Sequence, residues 1–79
     1  MRVDKFLKVS RIIKRRTVAG DACDAGRIVV GGKVVKPSYQ VKPGDVLEIA
    51  FGDRTLKVEV LSVAEHAAKA EAASMYREL

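Results

Sequence analysis

Seven cations fall within the first sixteen residues of this chain, Arg2, Lys5, Lys8, Arg11, Lys14, Arg15 and Arg16, and Asp4 is the one anion among them. Cations held close together on a folded element create a positive field, and the commonest large partner of such a field is a phosphate backbone. Spacing indicates that these cations are held. Val3, Phe6, Leu7, Ser10 and Ile13 recur at i, i+3, i+4, i+7 and i+10, one face of a helix. That face packs, and Lys5, Lys8, Arg11, Lys14 and Arg15 point largely elsewhere.

An acid inside a basic patch weakens phosphate binding unless it has another task. Asp4 has two available: it can cap the first helix, or pair with Arg2 or Arg16 and hold a guanidinium in one orientation. Arg16 directly precedes Thr17, a good helix cap, so a planar, fork-shaped donor stands beside a helix N-terminus where anions are already favoured. Arg2, Lys5, Arg11, Lys14, Arg15 and Arg16 are therefore the candidate phosphate contacts. Lys8 belongs to the same cluster, Asp4 steadies it, and Lys33 and Lys36 form a second lobe beside a hairpin.

Catalytic signals are missing. His66 is the only histidine and lies in an alanine-rich stretch, where a surface position suits it better than acid–base work. Gly31-Gly32-Lys33 lacks the spacing of a phosphate loop. The carboxylates are scattered, nothing matches metal-ligand spacing, and Cys23, the only cysteine, rules out an intramolecular disulfide. Its small apolar neighbours mark Cys23 as buried rather than reactive. The chain reads as a binding module, not an enzyme, with neither a metal nor a cofactor.

At 79 residues and 48% apolar content, one small domain is expected over residues 1–79. A first helix is predicted from about Asp4, as N-cap, to about Ile13, and a second from a Thr17 cap to a left-handed Gly26. Ile28-Val29-Val30 and Lys33 to Lys36 flank Gly31-Gly32, the dipeptide of a tight hairpin. Pro43-Gly44-Asp45 is a turn, and Val46 to Phe51 and Thr55 to Leu61 read as antiparallel strands. The Ala-rich end from about Ala64 to Leu79 lacks Gly and Pro and is predicted helical, so that residues 62–79 form a C-terminal helical extension. The result is an α+β fold, two N-terminal helices packed on a small antiparallel sheet plus a C-terminal helix. Only four aromatic residues occur, and Phe6 and Phe51 fall in apolar patterns that assign them to the core, which leaves no platform for stacking splayed bases. Shape would be read more than sequence.

Charge is uneven along the chain. Residues 1–36 carry ten Lys/Arg against three Asp, hence +7, and residues 37–79 carry five against seven acids, hence −2. This split assigns the partner to the N-terminal half, where Lys14 and Arg15 should matter and Lys57 and Lys69 should not. No apolar run approaches the roughly 18 residues of a membrane span, so no membrane partner is expected, and one unpaired cysteine suits a cytoplasmic location.

Arg2-Val3-Asp4-Lys5-Phe6-Leu7, Arg16-Thr17-Val18-Ala19, Gly26 to Lys33, Lys36-Pro37-Ser38 and Val41-Lys42-Pro43-Gly44-Asp45 closely resemble the RNA-binding domain shared with ribosomal protein S-four, the alpha-L motif. Val3 and Gly31 depart conservatively from its usual Arg-Leu-Asp and Val-Asn-Gly. With no second enzymatic domain, the chain resembles the stand-alone bacterial proteins called RqcP, with the fifteen-kilodalton heat-shock proteins as relatives. The resemblance implies binding to obstructed large ribosomal subunits that carry peptidyl-tRNA, contact with large-subunit rRNA near helix sixty-nine, and support of the partner RqcH as it adds alanine tails to stalled nascent chains. A heat-shock-fifteen-like rescue role is the alternative within the family.

Outside the family, the first two helices could form a DNA-binding helix-turn-helix, or the acidic half a protein adaptor. The second helix lacks Asn and Gln for base edges and carries Asp21 and Asp24, so no DNA partner is expected. If the cation cluster displaces counterions from RNA, affinity for subunits carrying peptidyl-tRNA should fall by orders of magnitude between low and moderate salt. Co-sedimentation across a salt series measures this, and a salt-insensitive complex would favour the protein adaptor.

Overall fold

The computed structural model describes residues 1–79. Helix α1 spans Val3–Val9 and α2 spans Arg16–Asp24. The apolar face expected from spacing is the buried one: Val3, Phe6 and Leu7 are fully enclosed, and Ser10 and Ile13 are buried with them. The helix itself stops four residues before Ile13. Arg11 takes a left-handed conformation, φ 65°, which breaks the helix, and the amide of Ile13 donates back to the Leu7 carbonyl at 3.0 Å. Ile13 thus reaches the core through a reversed turn.

Both predicted caps are displaced. Arg2, not Asp4, is the N-cap of α1, and Arg15, not Thr17, is that of α2; neither side chain makes a capping bond. The amides that a cap would satisfy on α1 are met from a distant loop. Val3 N–H donates to the Tyr39 carbonyl at 2.7 Å, and Asp4 N–H donates to the Pro37 carbonyl at 3.3 Å. Helix α2 ends as expected. Gly26 adopts φ 75°, and Arg27 N–H donates to the Ala22 carbonyl at 2.9 Å, which closes the last turn.

Five antiparallel strands follow: β1 Ile28–Val30, β2 Lys33–Val34, β3 Val46–Phe51, β4 Arg54–Val60 and β5 Tyr76–Glu78, in the order β2-β1-β3-β4-β5. Gly31 and Gly32 both take positive φ, the geometry of a two-residue hairpin turn that matches strand twist. Ile28, Val30, Leu47, Ile49, Val58 and Val60 form the sheet's share of a core that includes Phe6, Leu7 and Ile13. Phe51 is not in it. It ends β3 opposite Arg54, past the core, and is 42% exposed.

The C-terminal segment departs furthest from expectation. Only Lys69–Ala73 is helical (α3), and the chain then enters β5, which pairs with β4 in the register Val58↔Glu78 and Val60↔Tyr76. Alanine's helix propensity is a weak, local preference. Here it gives way to pairing of an otherwise open edge of β4 and to burial of Met75 at 2% exposure. Residues 62–79 therefore complete the sheet instead of extending from it as a helix.

Cys23 lies on the buried side of α2. Burial, with the Asp4 and Asp24 carboxylates adding to it, pushes its thiol from 9.0 up to about 11. The unfolded chain releases this proton first, so between those values the folded state holds more protons and stability is lost as pH rises. Urea titrations should show stability declining from pH 9 to 11, with part of the slope removed by Cys23→Ala. A thiol reagent should label the native protein far more slowly than the unfolded chain.

Candidate nucleic-acid interface

Where α1 meets α2, Asp4 is 6% exposed and gathers three donors. Its Oδ1 accepts from the Lys5 amide at 2.7 Å and from Arg2 Nε at 3.2 Å, and its Oδ2 accepts from Arg2 Nη2 at 3.1 Å. Arg16 Nη2 lies 3.6 Å from Oδ1. Of the two tasks open to Asp4, pairing with the arginines is the one performed, since Arg2 and not Asp4 occupies the cap position. From inside the first turn it satisfies an α1 amide, and it holds two guanidiniums whose side chains remain about half exposed, at 47% each. A two-point Arg2 contact fixes the plane of that group and leaves one of its nitrogens without a partner in the chain.

The remaining cations sort into separate places. Lys14 and Arg15 are exposed at the corner before α2, and Arg15 is its N-cap. Lys33 lies on β2 beside the hairpin turn, opposite Val30, and belongs to neither helix cluster. Lys36 is exposed next to Pro37, whose carbonyl receives the Asp4 amide, so the second lobe is tied to the Asp4 network through backbone. Lys5 has a partner of its own, the Glu65 carboxylate, and the hydrogen bond from Lys5 holds the Glu65 carboxyl below its usual range. Of the expected phosphate contacts, Lys5 is paired with Glu65, and Arg2 and Arg16 share Asp4.

Lys8, Arg11 and Lys14 line one side of a groove of about 620 Å³, and Glu65, His66 and Lys69 line the other. Lys69 was expected to be dispensable on charge balance alone, and the fold returns it to the cation cluster. No local signal marks His66 or Lys69, because the segment carrying them is brought back by β5. The left-handed Arg11 stands at this groove. A non-glycine residue in that conformation costs about 1–2 kcal/mol. No group of three His, Cys, Asp or Glu side chains is placed to hold a metal ion.

The family model of the S4 domain matches residues 1–47, and the fold and the α1–α2 corner define an S4-domain protein. Among curated relatives, the RQC P-site tRNA stabilizing factor of Halalkalibacterium halodurans is 53% identical over 76 residues, covering 96% of this chain and 86% of the relative. The factor of the same name from Bacillus subtilis is 51% identical, covering 96% and 88%. A heat shock protein 15 homolog from Aeromonas salmonicida is 31% identical over 99% of this chain and 59% of its own length. The trimeric structure of Vibrio cholerae heat shock protein 15 superposes with a TM-score of 0.92 at 26% identity, covering all of this chain and 81% of that one. The chain belongs to the S4-domain family of RQC P-site tRNA stabilizing factors.

The Asp4 network makes a stability prediction. Removing both arginines, Arg2→Ala with Arg16→Ala, leaves a buried carboxylate short of compensation and should cost about 1–2 kcal/mol in urea unfolding, the lower part of the range for an orphaned charged group because the arginines are half exposed. Adding Asp4→Asn to that double variant should recover part of the loss, since the amide oxygen can still accept from Lys5 N–H. No recovery would mean that the carboxylate is not the source of the cost.

Proposed function

We propose that this chain is an RNA-binding factor of ribosome-associated quality control. It binds large ribosomal subunits that carry peptidyl-tRNA, contacts rRNA near helix sixty-nine, steadies the P-site tRNA, and supports RqcH as alanine is added to the stalled nascent chain. Its work is binding rather than catalysis, and its place is the cytoplasm. The relatives from Halalkalibacterium halodurans and Bacillus subtilis are RQC P-site tRNA stabilizing factors, which supports the tRNA-stabilising role. The observation that carries the reading is the Asp4 carboxylate, which aligns Arg2 and Arg16 at the α1–α2 corner.

Two guanidiniums held beside one carboxylate at the starts of two helices suit phosphates whose positions are set by folded RNA. The field around them, from Lys8, Arg11, Lys14 and Arg15, raises the encounter rate and supplies affinity without sequence preference. Lys33 and Lys36 add positive charge on the hairpin side, so two RNA segments can be held at once. The likeness to heat shock protein 15 supports a second role, rescue of obstructed subunits without tailing. Alanine tailing separates the two.

Arg16 gives the decisive substitution. An ammonium cannot make the planar contact of a guanidinium held by Asp4, so Arg16→Lys should lose about 1–3 kcal/mol of binding, as Arg16→Ala does, although the charge is kept. Asp4→Asn should lose less. Large-subunit co-sedimentation and alanine tailing read the effect, with thermal unfolding as control. Wild-type behaviour of Arg16→Lys would reduce Arg16 to one more diffuse charge.

A further inference from the structure

We infer that the groove between the end of α1 and the segment leading into α3 is a second phosphate site, taking a single sugar-phosphate strand of RNA, separate from the Asp4 network. The inference rests on the RNA-binding function proposed above and adds to it a wall from the C-terminal segment. Lys8, Arg11 and Lys14 approach from one side, and His66 and Lys69 from the other. Only Val9 and Ala67 of its lining are apolar, so there is no anchor for a peptide side chain. Glu65 is the single carboxylate at the groove, and Lys5 engages it from α1. That contact neutralises the one group that would repel phosphate and ties the second wall to the first.

The volume, about 620 Å³, is in the range that encloses a small molecule, which suits a stretch of one or two nucleotides and not the flank of a duplex. Four cations lining such a space match a chain of phosphodiesters. Arg11 supplies an independent observation. It occupies φ 65°, a conformation that glycine adopts without strain, at the turn that ends α1. A bulky cation placed where glycine would fit more easily, with its residue lining the groove, is backbone strain located at a site.

Arg11→Gly separates the site from the fold. It relieves the backbone and removes the guanidinium, so the melting temperature should hold or rise while RNA affinity falls. Wild type, Arg11→Gly, Lys69→Ala, Arg16→Ala and the control Lys57→Ala would be titrated onto purified large subunits, with and without peptidyl-tRNA, over a salt series. Arg11→Gly and Lys69→Ala should each weaken binding about three- to tenfold and lower the log–log salt slope by about 0.7–0.9, the signature of one lost phosphate contact. Lys57→Ala should match wild type.

An effect confined to subunits carrying peptidyl-tRNA identifies the strand as tRNA, and an effect on both preparations identifies it as rRNA. Either result supports the site. Wild-type affinity and slope in Arg11→Gly and Lys69→Ala, with Arg16→Ala defective, would overturn the groove and leave the proposed function standing. Failure of the wild type to bind either preparation would overturn both. Loss of alanine tailing by Arg11→Gly at unchanged RNA affinity would make the groove a protein-docking surface and also overturn the inference.

Discussion

A carboxylate buried at the junction of two helices, beside a basic corner, is the constraint on which the rest of this molecule depends. Asp4 has little water around it, and its charge is met by Arg2, Arg16 and the Lys5 amide. Because a buried acid without partners is costly, the network holds its arginines in place before any ligand arrives. That preorganisation separates a site from a patch. The carboxylate removes one unit of positive charge from the surface and in return fixes the plane of the Arg2 guanidinium and holds that of Arg16 nearby, a favourable exchange where phosphates occupy defined positions and a poor one where charge alone is read.

The backbone around Asp4 is built for the same end. Carbonyls of Pro37 and Tyr39 receive the first amides of α1, and Arg2 bridges Gln40, so the helix start is docked on the loop that follows the hairpin. The Tyr39 hydroxyl donates to Asp45 at 3.1 Å, and the Lys42 amide donates to the same carboxylate oxygen at 3.2 Å, which closes the next turn. A chain of local bonds therefore runs from the cation cluster to the sheet. Its far edge is completed by β5, and the segment leading to β5 sends Glu65 back to Lys5. First and last parts of a 79-residue chain thus meet beside the same helix.

Much of the fold was legible along the sequence, for reasons that differ by element. The buried face of α1 followed from Val3, Phe6 and Leu7 at helical spacing, and the hairpin from Gly31-Gly32, where positive φ at both positions leaves few alternatives. Leu56, Val58 and Val60 alternate as an antiparallel strand requires. The ends of helices were less legible. Thr17 and Asp4 are good caps by type, yet the amides beside Asp4 are satisfied by carbonyls more than thirty residues away, which no local pattern encodes. Phe51 looked like core because its strand is apolar, and it is exposed because it lies one residue beyond the core's reach.

Residue type and spacing by themselves determined the chemistry available: seven cations with one acid among them, a helix face to carry them, no catalytic or metal-binding pattern, and motifs of an RNA-binding family. These are properties of short stretches, where side-chain period and charge are read directly. Tertiary structure decided which of those groups work together. It turned Asp4 inward between Arg2 and Arg16, spent Lys5 on Glu65, and brought His66 and Lys69 to a groove that charge counting assigned to the opposite half. It also made a strand of Tyr76–Glu78, where local propensity favoured helix, because an open sheet edge and an unburied Met75 weigh more than the preference of a few alanines. Long-range pairing is invisible to any window of sequence, and it is what converts a list of basic residues into a site with walls.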